Sequence, residues 1–389
     1  MQDDRYDFGG PNLRRSGLDP ARDRMSWIGV WHRERRCFDA AGLTEQGEHP
    51  RLLLREPDAL LAAGSLVVEF ELPMRPTPDP VIRFARGGDW PLLFELNADP
   101  DGAVDLQLDQ YGHLQHQRVH PVGAGRGDRL RLTLSWNAPA FCGQLTVERL
   151  AGGPSAHVAL QAPRPWRLDD LRALLSGPPE ASMAPTVTYV ALSAQQEPTG
   201  PMPGLTAQTP VETDHGPRPI AQLQRGDLLR VAGGDLVPVL HVVRRRVPAF
   251  GAFRPVQLRA PFFGLSEDLF VAPSQRVLLT GSEVEYLFGC EAVLAAAETL
   301  ATTRIGAMAP RTDTLVDYFQ VVLPGNEAPI VAGLAVESLF LGRIRRDRAR
   351  LSASLLADID RNSLPEHATS PLPVVRAFDA AVLAEQRSA

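Results

Sequence analysis

The stretch that decides the fold of the second half of the chain begins Gly204-Leu205-Thr206-Ala207-Gln208-Thr209-Pro210-Val211. It continues as Pro219-Ile220-Ala221-Gln222-Leu223-Gln224-Arg225-Gly226-Asp227-Leu228-Leu229, then as Leu269-Phe270-Val271-Ala272-Pro273-Ser274-Gln275-Arg276-Val277-Leu278-Leu279, and it closes on Gly333-Leu334-Ala335-Val336-Glu337-Ser338. Short apolar runs separated by Gly, Pro and Asp are typical of strands joined by turns. We therefore predict an all-β unit with a turn at 226–227, a half-buried strand over 256–260 and a short helix over 291–300.

The order of these segments resembles that of the Hint (hedgehog/intein) domain, in the form found in many bacterial proteins. The resemblance implies an all-β horseshoe with pseudo-two-fold symmetry that cleaves its own chain. In that family the first residue, usually Cys, attacks the carbonyl of the preceding peptide and forms a thioester. A His protonates the leaving nitrogen.

The resemblance places the nucleophile at Gly204, the first acid at Gln275, and two further expected histidine positions at Gln320 and Asn326. Glycine has no side chain, and an amide does not exchange protons near neutral pH. The sequence features typical of the fold are present, but the nucleophile and the proton donors that the reaction needs are missing. The sequence therefore predicts a degenerate, non-catalytic Hint-like domain.

Substitutes for the missing groups are few. Thr206 and Thr209 carry hydroxyls, but both lie too far along the chain from the expected scissile carbonyl, where a displacement of about 1 Å already costs roughly a hundredfold in rate. His241 lies in an apolar run and is interpreted as a hydrogen-bonded core residue. An autoprocessing protein with an atypical nucleophile is the alternative function.

Short strands also dominate residues 26–196. The segments that favour strands are 66–72, 92–96, 104–108, 130–136, 145–148 and 187–192. Asp101-Gly102 lies between the second and third of these, which favours a tight hairpin. Strict alternation over 130–136 predicts one buried face and one face in water. This order resembles a concanavalin-like or laminin-G jelly roll, a β-sandwich that in many proteins binds glycans.

A calcium site is the one metal candidate in this region. Asp99, Asp101 and Asp105 could supply the hard oxygen ligands that calcium prefers. A hairpin turn with solvated carboxylates accounts for the same residues and is the favoured interpretation. A carbohydrate-binding module on a passive scaffold is a further alternative function, and no other cofactor is expected.

The composition excludes several classes of partner. A net charge of −6 does not provide the excess positive charge that binding to nucleic acid or to an anionic membrane surface would need. No apolar run approaches the roughly 20 residues that span a bilayer, and residues 1–7 are acidic, unlike a secretory signal. We expect a cytoplasmic location by default, with export that needs no cleaved signal as the alternative. Three cysteines at irregular spacing predict buried free thiols.

The chain divides into a mobile lead-in (1–25), a sandwich (26–196), a Hint-like domain (197–343) and a helical tail (344–389). The segment 194–203 contains three prolines and is predicted to be a linker.

The tail shows two apolar repeats at helical spacing: the first is Leu351, Leu355 and Ile359, and the second is Val375, Phe378 and Val382. The arginines before the first repeat are interpreted as a solvated helix face. The predicted function is that of a non-catalytic Hint-like protein with a structural role, or with an unidentified protein or glycan as its partner.

Overall fold

The computed structural model describes residues 26–33, 35–44, 58–310, 313–367 and 372–387. It is mostly β-structure, with 42% strand and 15% helix, and it ends in a short helix. This confirms the predicted mainly-β class. The lead-in predicted for residues 1–25 lies outside the described residues. Within the described ranges, no helix is both long enough and apolar enough to cross a membrane.

The first part of the chain, residues 26–193, is here called the sandwich. Its elements are β1 (Trp27–His32), β2 (Arg35–Phe38), β3 (Leu60–Leu61), β4 (Ala63–Glu71), β5 (Ile82–Arg86), β6 (Leu92–Ala98), β7 (Val104–Gln110), β8 (His113–Val119), β9 (Arg129–Asn137), β10 (Cys142–Arg149), β11 (Ala156–Gln161), β12 (Trp166–Arg167), α1 (Leu168–Ser176), β13 (Ala181–Met183) and β14 (Val187–Ser193). One large sheet has the strand order β11-β10-β9-β4-β14-β1-β2, the other large sheet has the order β13-β5-β6-β7-β8, and β12 pairs with β3 in a two-stranded ribbon.

The two sheets of the sandwich share one apolar core. Alternation along β7 turns Val104, Leu106 and Leu108 into this core and leaves the intervening residues half-buried. The tilted rings of Trp136 and Trp166, with centroids 5.7 Å apart, belong to the same core. The β-sandwich predicted from short alternating strands is confirmed.

Strand β9 departs from its prediction on one face. Leu132 and Leu134 lie in the sandwich core as expected. The opposite face is not in water, because Arg131, Thr133 and Ser135 are only 9%, 3% and 7% exposed. The expectation of a wet face is wrong, since later parts of the chain cover that side of the sheet.

The second unit comprises residues 204–338. Its elements are β15 (Leu205–Thr206), β16 (Pro210–Thr213), β17 (Gly216–Pro219), β18 (Leu228–Arg230), β19 (Leu236–Pro238), β20 (His241–Pro248), β21 (Val256–Leu258), β22 (Leu269–Val271), β23 (Arg276–Thr280), α2 (Ser282–Phe288), β24 (Ala292–Ala296), α3 (Ala297–Leu300), β25 (Gly306–Met308), β26 (Leu315–Val322), β27 (Ile330–Val331) and β28 (Leu334–Ala335). Short 3-10 turns lie at Ile220–Gln222, Gly251–Phe253 and Phe262–Gly264.

Two larger sheets and a ribbon build the second unit. The strand orders are β20-β26-β15-β22-β21-β25, β19-β18-β16-β27-β28 with β17 on β16, and β23-β24. Gly226 has a φ of 94°, which is the positive angle that the predicted turn requires. Val256 and Leu258 are fully buried, and Gln257 between them is half-buried, as the predicted alternation requires.

The helix predicted over 291–300 is largely wrong. Residues 292–296 form β24, and only residues 297–300 are helical. β24 pairs with β23 along five residues, and Val293 and Ala295 are fully buried. Burial in an antiparallel ribbon thus outweighs the helix propensity of this alanine-rich run.

The sandwich and the second unit share an apolar interface. Val67 and Tyr189 from the sandwich lie in one cluster with Phe250 and Tyr318 from the second unit. Trp27 also belongs to this cluster, and its indole Nε1 donates to the carbonyl of residue 246 at 2.9 Å. The two units are therefore packed against each other rather than joined only by a linker.

A buried ion pair crosses into the same interface. The Arg131 guanidinium donates through Nη2 to Glu69 Oε1 at 2.7 Å, and Glu69 Oε2 accepts from Ala252 N at 2.8 Å. The guanidinium also lies 3.8 Å above the centre of the Phe253 ring. The second unit therefore completes the hydrogen bonding of the Glu69 carboxylate and packs Phe253 on its arginine partner.

The segment 194–203 connects the two units and is held at several points. Its backbone N–H at Glu197 donates to Ser65 Oγ at 2.8 Å, and that at Gly200 donates to Glu148 Oε1 at 2.9 Å. Thr199 N donates to the carbonyl of residue 353 at 2.8 Å. The predicted linker is therefore an anchored connection.

The tail, residues 344–387, contains α4 (Arg348–Ser352), α5 (Ala377–Gln386) and 3-10 turns at Ile344–Arg346 and Arg361–Ser363. α4 is shorter than the first apolar repeat predicted, and Leu356 rather than Leu355 is fully buried. The hydroxyl of Ser354 accepts from Leu356 N at 3.1 Å, a local bond that competes with helix continuation.

Helix α5 exists as predicted but turns a different face inward. Ala380, Leu383 and Ala384 join the core of the second unit, whereas Phe378 is 77% exposed.

The basic run lies on a 3-10 turn and on α4 rather than on one helix face. Arg343, Arg346 and Arg348 are exposed, as the solvated interpretation requires, and Arg345 and Arg346 both pair with the tail residue Glu366.

The three cysteines are free, as predicted. Only Cys37 is buried, and burial raises the pKa of its thiol. Cys142 is exposed, so the expectation that all three are buried is wrong.

Candidate functional site

Gly204 lies at the start of β15, between β26 and β22 in the six-stranded sheet. Its carbonyl oxygen accepts a hydrogen bond from Ala272 N at 2.7 Å, which fixes it beside the turn at 272–275. Gly204 is buried, and its φ lies outside the left-handed region. Its backbone conformation would therefore accept a larger residue, and only the available space can exclude one.

The side chain of Gln275 fills the space beside Gly204. A Cβ placed on Gly204 would lie 2.2 Å from Gln275 Oε1 and 3.0 Å from Gln275 Cβ and Cδ. Contacts below 3.0 Å are essentially never made by real Cβ atoms. The positions that the sequence assigned to the nucleophile and to its acid are therefore in direct contact, and the carboxamide leaves no room for a nucleophile.

Gln275 and Gln320 form a buried amide network, being 6% and 2% exposed. Gln320 Nε2 donates to Gln275 Oε1 at 2.8 Å and to the Glu337 carbonyl at 3.1 Å. Gln275 Nε2 donates to the carbonyls of Glu337 and Arg276 at 3.0 and 2.9 Å. Gln320 Oε1 accepts from the N–H of residue 321 at 3.1 Å. All four side-chain polar atoms are satisfied, so the network is fixed.

Asn326 joins this cluster through Glu337. Asn326 Nδ2 donates to Glu337 Oε1 at 3.3 Å, and Arg276 Nη1 lies 3.3 Å from Glu337 Oε2. The structure therefore brings all four predicted positions into one cluster. Sequence reasoning missed Glu337 and Arg276 as members, although Glu337 is the penultimate residue of the last quoted segment, where a carboxylate in an otherwise apolar run was the available signal.

The chemistry available at this cluster is limited. The side chain that touches Gly204 is an amide, which neither gives nor takes a proton near neutral pH. Glu337 is 9% exposed and is paired with the Arg276 guanidinium. The two glutamine amides bind and orient backbone carbonyls. The charges of Glu337 and Arg276 neutralise each other.

The family comparison applies to this part of the chain. Residues 203–343 match the family model described as Hint domain. The second unit is a Hint domain.

Comparisons of the whole chain give no closer assignment. No curated protein matches the sequence. Similar solved structures include scytalido-glutamic peptidase with a transition state analog inhibitor, at 11% identity over 45% of this chain and 67% of that chain, with a TM-score of 0.20. A heptameric SAP-like pentraxin from Limulus polyphemus is 7% identical over 44% of this chain and 64% of that chain, with a TM-score of 0.21. Tailspike protein 2 from an Escherichia coli O157:H7 bacteriophage is 8% identical over 43% and 23%, with a TM-score of 0.21. These values carry no argument about function.

The possible substitute groups of the Hint domain are engaged elsewhere. Thr206 Oγ1 donates to the Phe270 carbonyl at 3.1 Å and lies 3.3 Å from Thr209 Oγ1. His241 Nε2 lies 3.2 Å from Ser363 Oγ, and partial burial lowers the pKa of this imidazole. The Gln275 cluster borders a cavity, and His241 does not line that cavity.

That cavity, of about 640 Å³, lies between the Hint domain and the sandwich. Gln275, Gln320 and Glu337 line it on the Hint side, and Gln144 and Thr146 of β10 line it on the sandwich side. Residues 199–202, just upstream of Gly204, also border it. The Hint site therefore faces the sandwich.

The predicted calcium ligands lie on the β6–β7 hairpin, where each has a protein contact. Asp99 Oδ2 accepts from Arg118 at 2.7 Å, Asp105 Oδ1 lies 2.7 Å from His116 Nε2, and Asp101 Oδ1 accepts from the N–H of residue 103 at 3.1 Å. Within the described ranges no group of three or more His, Cys, Asp or Glu could hold a metal ion. Calcium binding here stays a prediction.

Proposed function

We propose that the Hint domain of this protein does not cleave the chain and instead serves as a structural partner of the sandwich, with a surface available for protein contacts. The observation that carries this proposal is the Gln275 carboxamide, which lies 2.2 Å from where a Cβ on Gly204 would be. A self-processing site needs a nucleophilic side chain against its own upstream carbonyl. In this domain both the side chain and the room for it are missing.

The electrostatics of the cluster support the same proposal. Cleavage of an amide needs an acid that protonates the leaving nitrogen. Gln275 and Gln320 are amides tied to backbone carbonyls, and Glu337 is held by Arg276. The described residues around Gly204 thus offer no poised acid, and nucleophile and acid act as a unit in such reactions.

The interface supports the structural part of the proposal. The Hint domain covers a side of the sandwich on which Arg131 and Glu69 are buried, and Phe253 packs on the guanidinium. Without that cover, these groups and the apolar residues around Trp27 would be exposed to water. Burial of this surface stabilises both units together.

Intact mass tests the proposal directly. Purified protein should remain one species of 42.4 kDa after prolonged incubation with or without dithiothreitol. Hint-type cleavage would divide the chain between Pro203 and Gly204, and a thiol would accelerate it by intercepting the thioester. Two fragments that meet at this bond would refute the proposal, and thiol-independent cleavage elsewhere would support the atypical-nucleophile alternative.

A gain-of-function experiment tests which groups are missing. Gly204→Cys with Gln275→His should cleave slowly and with thiol stimulation, since it supplies the nucleophile, removes the blocking carboxamide and adds a proton donor. Neither single variant should cleave. Gly204→Ala with Gln275→His is the matched control without a thiol. A folded double variant that stays inert would show either that residue 204 is not the nucleophile position or that the histidines missing at positions 320 and 326 are also required.

A further inference from the structure

The chain that leaves the Hint domain crosses back over it as a strap. This strap, defined here as residues 339–367, contains α4 and the two 3-10 turns of the tail. Leu341, Ile344 and Leu356 of the strap form one apolar cluster with Val243 of β20 and Val322 of β26. The strap therefore covers apolar surface of the six-stranded sheet, which would meet water if the strap moved away.

The strap also reaches the sandwich and the connection between the two units. Arg350 Nη2 donates to the Ser155 carbonyl at 3.1 Å, and the carbonyl of residue 353 accepts from Thr199 N at 2.8 Å. Residues 339–344 form part of the wall of the cavity between the two units. Opening of the strap would therefore widen this cavity and release the connection.

His367 lies at the end of the strap, where it is only 4% exposed. Its Nδ1 accepts from Leu341 N at 3.1 Å, and its Nε2 lies 3.2 Å from the Leu323 carbonyl oxygen. Since a backbone N–H donates and a carbonyl accepts, both bonds require a neutral ring with its proton on Nε2. The backbone N of His367 also donates to the Gly342 carbonyl at 3.0 Å. One residue thus ties the end of the strap to its start and to the residue that follows β26.

Protonation of this ring is incompatible with its contact to Leu341. A proton on Nδ1 would direct two N–H donors at each other, and the new charge would be buried away from water. Burial lowers the pKa of His367 below its usual value of 6.5, although the Leu323 carbonyl and the carboxylates of Glu327 and Glu337 act in the opposite direction. The closed strap therefore favours the neutral ring.

The charged groups that face His367 from the Hint domain and from the strap have other partners. These contacts are Glu327 with Gly325 N, Glu337 with Arg276, and Glu366 with Arg345 and Arg346. Within the described ranges no carboxylate forms an ion pair with the imidazole, so the closed strap offers a protonated ring only their distant attraction.

We propose that His367 is a pH-sensitive latch, which holds the strap closed at neutral pH and lets it open in mild acid. Since the ring is buried, it takes up a proton after the strap has opened, and acid therefore shifts the equilibrium toward the open form. With an ordinary histidine pKa of about 6.5 in the open form, the equilibrium constant of opening should rise by up to about tenfold between pH 7.5 and pH 5.5. Opening uncovers the apolar residues of β20 and β26 and gives access to the cavity. This inference does not depend on whether the Hint domain cleaves the chain.

His241 provides a comparison, because its bond to the strap survives protonation. Its Nε2 lies 3.2 Å from Ser363 Oγ, and this hydroxyl donates to the Asp360 carbonyl at 2.8 Å. The hydroxyl therefore accepts from His241, whether the ring is neutral or charged. Partial burial and the nearby Arg225 lower the pKa of His241, but its protonation breaks no hydrogen bond to the strap.

Hydrogen exchange of the full-length protein, followed by mass spectrometry at pH 7.5 and pH 5.5, tests the latch. After correction for the intrinsic pH dependence of exchange, a peptide that spans 339–352 should open about tenfold more at pH 5.5. A peptide that spans 92–110 of the sandwich should change less than twofold. Glu366 keeps its charge over this range, since its pKa is about 2. A change below twofold in the strap peptide would overturn the proposal.

The variant His367→Asn replaces Nδ1 by an amide oxygen, an acceptor that does not protonate. Its strap should open more than that of the unaltered protein at both pH values, because the bond to the Leu323 carbonyl is lost. Its opening should change less than twofold between the two pH values. A tenfold change that persists in His367→Asn would show that another group is responsible.

Two further measurements decide the case in which the strap of His367→Asn is already open at pH 7.5. Exchange of the imidazole C2 hydrogen in the unaltered protein gives the pKa of His367, and a pKa at or above 6.5 would overturn the latch. His241→Asn is the matched control and should keep at least a fivefold change in opening. Loss of the pH effect in His241→Asn would assign the effect to His241 instead.

Discussion

Replacement of Gly204 by alanine tests the central observation about the Hint site. The new methyl group would lie 2.2 Å from Gln275 Oε1, so the carboxamide must rotate away. That rotation breaks the 2.8 Å bond from Gln320 and the 3.0 Å bond from Gln275 to the Glu337 carbonyl. Since the φ of residue 204 suits any amino acid, the cost arises from packing and hydrogen bonding alone.

The magnitude follows from these contacts. Overpacking a filled site costs about 1–3 kcal/mol, and each of two buried hydrogen bonds contributes about 1 kcal/mol, so Gly204→Ala should destabilise by about 3–5 kcal/mol. Gln275→Ala alone removes these two bonds, together with the local 2.9 Å bond to the Arg276 carbonyl, and should cost about 2–3 kcal/mol. In the double variant the carboxamide is gone, and of the three nearest contacts only the Cβ of residue 275, at 3.0 Å, remains. The double variant should therefore be about 2 kcal/mol more stable than the sum of the two single changes predicts.

The assay must report on the Hint domain itself. All five tryptophans lie between residues 27 and 166, so tryptophan fluorescence reports on the sandwich. Hydrogen exchange of a peptide that spans 268–280, followed by mass spectrometry, gives the local free energy of opening, because Ala272 N and Gln275 N are hydrogen-bonded there. Additivity of the two changes within about 0.5 kcal/mol would refute the steric conflict between residues 204 and 275.

Three other parts of the molecule give separate predictions. Glu69→Ala leaves the buried Arg131 guanidinium without its carboxylate and should destabilise the chain by about 3–5 kcal/mol in urea unfolding, where a loss below about 1 kcal/mol would contradict the interface. Hydrogen bonds from two arginines lower the pKa of Glu366 from 4.5 to about 2. Its contribution to the stability of the tail is therefore complete above pH 4.5 and is lost as the pH falls through about 2, and Glu366→Gln should remove this part of the acid dependence of the melting temperature. Leu383→Ala should lower the free energy of unfolding by about 2–5 kcal/mol, and Phe378→Ala should lower it by less than about 0.5 kcal/mol. Equal losses in thermal unfolding would contradict the conclusion that Leu383, and not Phe378, lies on the buried face of α5.

Local patterns were sufficient for most of the sandwich and for the order of the Hint segments. Alternation placed β7 and β9 correctly, and Asp101-Gly102 located the hairpin between β6 and β7. These features depend on residues near each other in the chain, so a single sequence contains the information. The assignment of Gly204 and Gln275 came from a resemblance between segments, and the structure places these two residues in contact.

Features that depend on distant partners could not be predicted. The polar face of β9 resembled a solvated face because nothing near it in sequence indicates that Phe253 will cover Arg131. Residues 292–296 had helix-forming composition, and only their pairing with β23 makes them a strand. Residues of β10 and residues 339–343 line one cavity although they are about 190 residues apart in the chain, which no local pattern records.

The interface has a consequence for synthesis of the chain. Trp27 bonds to a carbonyl 219 residues later, and Tyr189 shares its cluster with Tyr318. A ribosome that adds about 5–20 residues per second completes the sandwich roughly 6–25 s before it reaches Tyr318, which lies about 125 residues beyond β14. Until residues 247–253 and then Tyr318 have been added, the face around Val67 and Tyr189 lacks part of its intramolecular cover, which makes the nascent sandwich a substrate for chaperones that bind apolar surface.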